Sequence, residues 1–426
     1  MPLGLAILWL AASAAPLPAF LSHEDVAAIR SYVDRDRAYS PRARAEALTQ
    51  VDRLTGKSLS RAELELELAH IAALADNGHS FLLPPQWTTR YPRSLVRLGL
   101  FADGLFVMSA PPEQRHLSGR AVVAINGRPW RDIYRAYARY QGGLQSFRDQ
   151  FVTIFMETPA LLEAAGLGGD GHTLQLTLGN GGSEPEIVRL PSRLLPLEGE
   201  AALLGYPALF DAIALVNPDK KPLYLQAVDK SFRVMLRPEL SGAYVQINAT
   251  RGEDLPRLLA DGLSELRRAK PRNIVVDLRF NMGGDLNIAR DFMRELAGLA
   301  PGRLYAITSG RTFSAAISSL GYLKQAAGKR LIIVGEPIGD RLEFWAEGDT
   351  VEIPSVKATM LYATERHNYV TGCPESDCHE SIRTHPIRVR SLQPDIETSL
   401  TFADFLAGRD PAYDAIVRDI RNGPAG

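Results

Sequence analysis

The strongest constraint on this fold is an alternation of strand-like and helix-like segments between Ala243 and Glu336. Short apolar runs alternate there with amphipathic stretches of about 10–15 residues, which predicts βαβ units and a mostly parallel sheet. In such a sheet, reactive loops lie at the carboxyl ends of the strands. The predicted strands are Ala243–Ile247, Asn273–Leu278, Leu304–Thr308 and Leu331–Val334, and the predicted helices are Leu255–Ala269, Asp285–Ala297 and Ser314–Ala327.

The residues before this alternation differ in character. Apolar positions at three- and four-residue spacing predict helices over Glu24–Tyr39 and Ser60–Ala75, the second with a capping box of Ser60 and Glu63. Short strands, one further helix and a hairpin are predicted next, at Leu105–Met108, Ala121–Ile125, Trp130 to about Tyr140, and residues 171–190. Residues 194–221 are rich in Leu and Pro, and we assign them no structure.

The first twenty residues contain no charge, and an apolar run over Leu3–Ala12 is followed by Ala-x-Ala-like sites. This pattern is typical of a secretory signal peptide, and a buried N-terminal helix is the alternative. We therefore expect a periplasmic or secreted protein, in which Cys373 and Cys378 could form a disulfide. A metal site at these cysteines, with the nearby His367 and His379, ranks below the disulfide, so we expect no metal.

The net charge gives no support for binding to nucleic acid or to an acidic membrane, and the hydropathy gives none for a membrane span. The chain has 48 Lys and Arg against 49 Asp and Glu, a formal net charge of −1. Such a balance gives no electrostatic reason to expect binding to nucleic acid or to an acidic membrane. After the first twenty residues, no apolar run approaches the ~18 residues of a membrane span, so we expect no integral span in the mature chain.

Two predicted strand ends carry candidate chemistry. Gly283 and Gly284 follow one strand, where glycines can expose backbone N–H groups to an anion or simply form a tight turn. Ser314 follows the next strand at the predicted first turn of a helix, where the N–H of Ala315 could stabilise an oxyanion. The alternative is that Ser314 or Thr312 serves only as an N-cap.

A serine nucleophile requires a base, and His79 has the most suggestive setting of the histidines. It lies in a glycine-containing turn directly after an amphipathic helix, where a side chain can face a cleft. An ordinary exposed loop histidine is the alternative, and spacing alone favours it.

Several motifs, taken in order, resemble those of the C-terminal processing, or tail-specific, serine peptidases. The run VVDLRFNMGGD at 275–285 resembles their D-L-R-x-N-x-G-G motif, and TSGRTFSAA at 308–316 resembles their nucleophile motif. DNGHS at 76–80 resembles an N-terminal D-G-H-T stretch, and LSGRAVVAINGRPWRDI at 117–133 resembles the second half of a PDZ domain. Gly335-Glu336-Pro337 resembles the Gly-Glu turn that follows the nucleophile.

The resemblance implies an α/β fold with a crotonase-like (ClpP/crotonase) parallel-sheet core, an N-terminal helical part and a PDZ-like domain. The expected divisions are a signal peptide at 1–20, a helical region at 21–90, a PDZ-like region at 91–195, a connecting segment at 196–230 and the catalytic core at 231–426. The resemblance also implies Ser314 as the nucleophile and an oxyanion hole formed by Gly284 and Ala315, with Gly283 shaping the loop.

One departure from the family bears on the base. Members with a Ser–Lys dyad carry Lys just after the Gly-Glu turn, whereas this chain has Asp340 and Arg341 there. Arg stays protonated at working pH and cannot be a general base. His79 instead resembles the branch of tricorn protease and interphotoreceptor retinoid-binding protein, although Gly78 stands where tricorn has Ser. The acid that would orient His79 is ranked as Glu343 first, with Asp76, Asp340 and Glu336 as rivals.

The expected function is therefore a periplasmic or secreted serine endopeptidase that cleaves peptides or unstructured protein tails through an acyl-enzyme and needs no cofactor. A PDZ-like domain would hold an extended peptide by strand addition. One alternative is a non-catalytic relative that binds peptides or apolar ligands on the same fold. Another is a crotonase-like enzyme acting on a thioester, which would not require Ser314.

Overall fold

The computed structural model describes residues 21–82, 84–180, 183–194 and 215–422. The expected signal peptide and most of the segment without assignment lie outside these ranges. Within them, no helix has the length and apolar character needed to cross a membrane.

The N-terminal part is helical, and its helices begin at side-chain caps. The helices are α1 (His23–Arg35), α2 (Pro41–Leu54) and α3 (Arg61–Ala73). Ser60 and Glu63 form the predicted capping box at the start of α3, since each side chain accepts from the other residue's backbone N–H. This region therefore folds as its local sequence indicates, apart from the break between α1 and α2.

A mixed region of short strands and helices follows. Its elements are β1 (Phe81–Leu82), α4 (Pro84–Arg90), β2 (Arg93–Ser94), β3 (Arg97–Phe101), β4 (Gly104–Ser109), β5 (Val122–Ile125), β6 (Arg128–Pro129), α5 (Trp130–Tyr137), α6 (Gln145–Arg148), α7 (Val152–Met156), α8 (Pro159–Ala164), β7 (Thr173–Asn180) and β8 (Ser183–Arg193). Five of these strands form one sheet in the order β2-β8-β7-β5-β6, and β3 pairs with β4. The predicted hairpin is present as β7 and β8.

The C-terminal half contains the predicted parallel sheet. Its elements are β9 (Phe232–Arg237), β10 (Gly242–Ile247), α9 (Leu255–Ala269), β11 (Asn273–Asp277), α10 (Arg290–Leu299), β12 (Leu304–Thr308), α11 (Ala315–Ala327), β13 (Leu331–Gly335), β14 (Glu343–Ile353), β15 (Ala358–Asn368), α12 (Glu380–Thr384), β16 (Ile396–Glu397), α13 (Phe402–Leu406) and α14 (Pro411–Asn422). The sheet order is β16-β13-β12-β11-β10-β9. Only β9 runs antiparallel to its neighbour among these described strands.

Helices cover both faces of this sheet, as continuous apolar strands require. Alternate side chains of β11 point to opposite layers. Ile274 and Val276 pack with α9, α10 and α11, whereas Val275 packs with α14. The α/β class expected from the sequence is therefore confirmed.

Two features of the C-terminal half differ from the sequence prediction. The helix expected at Asp285 begins at Arg290, because the Asp285 side chain accepts the N–H of Asn287 and forms a turn instead. The antiparallel hairpin of β14 and β15 was not predicted. It extends through β1 into a three-stranded sheet next to the N-terminal helices, and this sheet places the loop after α3 beside the core.

Candidate active site

Ser314 occupies a strained backbone position at the start of α11. Its φ is 54° and its ψ is −126°, a region that side chains other than glycine rarely adopt. Although Ser314 stands at the N-cap, its side chain makes no capping hydrogen bond. Thr312 does not cap the helix either, since its hydroxyl donates to the carbonyl of Leu278. The N-cap explanation of Ser314 is thus not what the structure shows.

The double glycine lies directly against Ser314. A Cβ added to Gly283 would fall 2.7 Å from the Cβ of Ser314 and 3.0 Å from the backbone nitrogen of Ala315. Both glycines have positive φ, 103° at Gly283 and 138° at Gly284. Only glycine fits at Gly283 without displacing the serine.

The backbone around the glycines leaves two N–H groups available. Thr250 donates to the carbonyl of Gly283 and accepts from Asp285, so this bridge does not use the N–H of Gly284. Among the residues that the structure describes, the N–H groups of Gly284 and Ala315 have no hydrogen-bond partner. The N–H of Gly283 is different, because it donates to the Asn281 side chain at 2.9 Å.

Asn281 connects the two loops. It is fully buried, and its carbonyl accepts the N–H of Phe313 at 3.1 Å while its side chain accepts from Gly283. One residue therefore fixes the glycine loop and the turn that leads into Ser314. Asn281 belongs to the D-L-R-x-N-x-G-G run, so the sequence motif contained it, but no role was assigned to it.

His79 reaches this loop from the other half of the chain. Its ring stacks on Phe313, the residue before Ser314, with ring centroids 4.4 Å apart. The His79 ring also stacks on Phe344 of β14, with ring centroids 5.3 Å apart. The structure thus brings His79 and the Ser314 loop together, as the sequence analysis expected, through two aromatic rings that it did not identify.

Backbone and side-chain contacts hold the His79 turn against β14. The Asn77 side chain donates to the carbonyl of Trp345 at 3.0 Å, and Arg341 pairs with Asp76 at 2.7 Å. Gly78 is required here, since a Cβ would lie 2.8 Å from the Phe313 ring and 3.1 Å from a carboxylate oxygen of Asp340. A serine before the histidine would not fit this packing.

The acid next to His79 is Asp340, not Glu343. The Asp340 carboxylate is 1% exposed and lies 3.6 Å from Nδ1 of His79. Glu343 is 55% exposed and pairs with Arg366 at 3.3 Å. Glu343, which the sequence analysis ranked first as the acid that orients His79, is therefore replaced by Asp340. Glu343 begins β14, and its side chain faces the surface.

The two other rivals are engaged elsewhere. Asp76 pairs with Arg341, and Glu336 lines a separate cavity. In peptidases with a Ser–Lys dyad, the lysine base follows the Gly-Glu turn. In this chain Asp340 lies in that stretch, so an acid is found near the place where those peptidases carry their base. Both ring nitrogens of His79 and one Asp340 oxygen are buried without a hydrogen-bond partner among the described residues.

Cys373 and Cys378 form a disulfide in the structure. The loop that it closes contacts β15, because the N–H of Arg366 donates to the carbonyl of Asp377. His379 stacks on His367, which in turn stacks on Phe344. The expected pairing is thus observed, and the loop packs at the far end of the ring stack that contains His79.

Comparison with known proteins gives structural similarity only. No protein-family model matches the chain, and no curated protein matches it. Mature CPAF is similar with a TM-score of 0.53 at 11% identity, covering 95% of this chain and 98% of that chain. Mature CPAF complexed with lactacystin has a TM-score of 0.54 at 11% identity, covering 93% of this chain and 97% of that one.

The photosystem II D1 C-terminal processing protease covers 95% of this chain and 99% of its own at 12% identity, but its TM-score of 0.42 is too low to support an argument. At these identities a structural likeness establishes the fold and nothing finer. The chain shares the fold of CPAF over nearly its whole length.

Proposed function

We propose that this protein is a serine peptidase in which Ser314 is the nucleophile and His79 the general base. The observations that carry the proposal lie around Ser314: a strained serine, two N–H groups without a partner among the described residues, and a histidine–carboxylate pair whose imidazole stacks on Phe313, the residue before Ser314. These are the parts that acyl transfer requires.

In this mechanism, Oγ of Ser314 attacks the carbonyl carbon of the scissile peptide, and His79 accepts the hydroxyl proton. The carbonyl oxygen becomes an oxyanion, which the N–H groups of Gly284 and Ala315 stabilise. The imidazolium then protonates the departing amine, and water hydrolyses the acyl-enzyme. The positive N-terminal end of α11 further favours the negative charge.

Asp340 stabilises the imidazolium that forms during the reaction. A buried carboxylate is costly unless a cation or hydrogen bonds compensate it. One Asp340 oxygen accepts the backbone N–H of Arg341, and the other faces His79 at 3.6 Å. This distance exceeds a hydrogen bond, and catalytic contacts often tighten only when substrate binds.

We interpret the remaining architecture in the same family terms. The six-stranded sheet with its flanking helices would be a crotonase-like core, and the strands between 91 and 195 a PDZ-like region. The apolar N-terminal segment and the disulfide both suit a periplasmic or secreted protein. A protein that only binds peptides on this fold is the alternative, and the following test separates the two.

The test is degradation of an unstructured protein by the mature chain, followed by intact mass. We expect fragments from the wild type and a loss of at least about 10³-fold with Ser314→Ala, because the nucleophile is removed. Ser264→Ala, on an exposed surface of α9, is the matched control and should cleave like the wild type. Equal cleavage by the Ser314→Ala variant would refute the mechanism, and absence of cleavage by every form would favour the binding protein.

A further inference from the structure

A cavity of about 950 Å³ lies along the same edge of the sheet as Ser314. One wall consists of residues that follow β11, β12 and β13. The opposite wall comes from β3, β4, α5 and α6. The wall residues Gly310 and Arg311 belong to the loop that leads into Ser314, so a peptide lying across Ser314 has this cavity beside it.

The walls combine aromatic rings with three carboxylates, of which one, Asp410, is paired with Arg279. The apolar part is formed by Leu100, Phe101, Met108, Trp130, Tyr134 and Phe280. Asp149 and Glu336 also line the cavity. Asp149 accepts the hydroxyl of Tyr134 at 2.6 Å. In the part of the chain that the structure describes, Asp149 and Glu336 have no ion-pair partner within 4.0 Å, unlike Asp410.

Burial raises the pKa of both the Asp149 and the Glu336 carboxyl groups. The charge of Asp149 raises the pKa of Glu336 further, whereas Arg279 lowers it. Two partly buried acids that repel each other are stabilised when a cation enters between or beside them. The cavity therefore favours a positively charged occupant.

The cations on the walls are mostly committed to other partners. Arg279 pairs with Asp277 and Asp410. Arg131 lies over the ring of Trp130, with its guanidinium carbon 4.5 Å from the centroid, and Arg135 pairs with Asp132. Arg311, on the wall near Ser314, is not free either.

A separate polar group on the same wall also lacks a partner. Tyr224 is 2% exposed and lines the cavity, and its hydroxyl has no hydrogen-bond partner among the described residues. The guanidinium of Arg279 lies over its ring, 4.3 Å from the centroid. The hydroxyl itself is inaccessible to solvent, so Tyr224 contributes to this wall as a buried aromatic residue.

We propose that this cavity is a specificity subsite that binds a lysine or arginine side chain of the peptide substrate. The aliphatic stem of such a side chain packs on the aromatic walls, and its charged end lies against Asp149 and Glu336. This inference rests on the proposed peptidase function, because it assumes that a peptide lies across Ser314. It adds a preference for a basic residue.

The experiment measures peptide binding to the full-length Ser314→Ala protein, so it does not depend on turnover. Fluorescent unstructured peptides carry a single Lys moved along the sequence, and each has a twin with Nε-acetyl-lysine at that position. The twin keeps the stem and removes the charge. We expect one position at which the Lys peptide binds about 10- to 100-fold more tightly than its twin.

Variants then locate the effect. Glu336→Gln and Asp149→Asn, each in the Ser314→Ala background, should reduce the ratio between the twin peptides to within about threefold of unity. Glu184→Gln, an exposed acid on β8, is the control and should leave the ratio unchanged. A thermal unfolding curve for each variant shows whether it is folded. If a carboxamide variant does not fold, the twin peptides still test the proposal on the Ser314→Ala protein, whose cavity is unchanged.

Equal binding of both peptides at every position, tighter binding of the acetylated peptide, or binding of neither would overturn the subsite. An undiminished ratio in both carboxamide variants would also overturn it. Failure of the peptidase proposal gives a different result. In that case the wild type cleaves no substrate, whether or not the Ser314→Ala protein prefers the Lys peptide.

Discussion

The backbone of Ser314 stores strain that its neighbours hold in place. A residue in a sparsely populated region of φ and ψ costs about 1–3 kcal/mol and persists only where the surroundings enforce it. Here the turn before Ser314 is fixed by the hydrogen bond from Phe313 to Asn281. In this conformation the half-buried serine side chain does not cap α11, which leaves its hydroxyl available as a nucleophile.

The choice of Asp340 over Glu343 as the acid next to His79 gives a prediction at this scale. Asp340→Asn should lower kcat about 10²- to 10⁴-fold, because the buried charge that stabilises the imidazolium is removed. Glu343→Gln is the matched control and should stay within about twofold of the wild type, since that side chain pairs with Arg366 at the surface. Steady-state hydrolysis of one peptide by the three proteins decides the question. A larger loss in Glu343→Gln than in Asp340→Asn would restore Glu343 as the orienting acid.

At the scale of elements, the hairpin of β14 and β15 supports the base. It carries Phe344 against His79, and His367 also stacks on Phe344 with centroids 4.8 Å apart. Trp345, the next residue on β14, is joined to Asn77 by hydrogen bonds. The hairpin thus fixes both the ring and the backbone of the His79 turn.

Substitution of Phe344 tests this support. Phe344→Leu should lower kcat about 3- to 30-fold with KM within about twofold, because an aromatic face beside the imidazolium is lost. Phe344→Tyr keeps the ring and should recover most of the rate. The readout is the separation of kcat from KM, with thermal unfolding as the check on folding. A rise in KM alone, or no recovery with Tyr, would show that Phe344 acts through general packing.

At the scale of the whole molecule, the sequence predicted the parallel sheet and failed at the long-range contacts around it. Strands such as Leu304–Thr308 are apolar on both faces and bounded by turns, so their local pattern is sufficient. The start of α10 could not be predicted from the local pattern. Asp285 can cap a helix or form a turn, and in the structure its side chain accepts the N–H of Asn287 and forms the turn.

The residues of the candidate site also fall into those that the sequence identified and those that it did not. Ser314, the two glycines and His79 could be named because each lies in a motif with its own local pattern. The choice between Asp340 and Glu343 could not be made, because it depends on which side chain of a tight turn faces a histidine far away in the chain. The ring stack was missed for the same reason, since Phe344 meets His79 only after β14 pairs with β15.

The central claim is that Ser314 is an activated nucleophile, and a fluorophosphonate probe tests it most directly. The full-length protein is treated with the probe, and the adduct is located by peptide mapping and mass spectrometry. We predict one adduct, on Ser314, formed at least about 10²-fold more slowly in His79→Ala because the base is gone. No adduct on Ser314, or one that forms at the same rate without His79, would contradict the account.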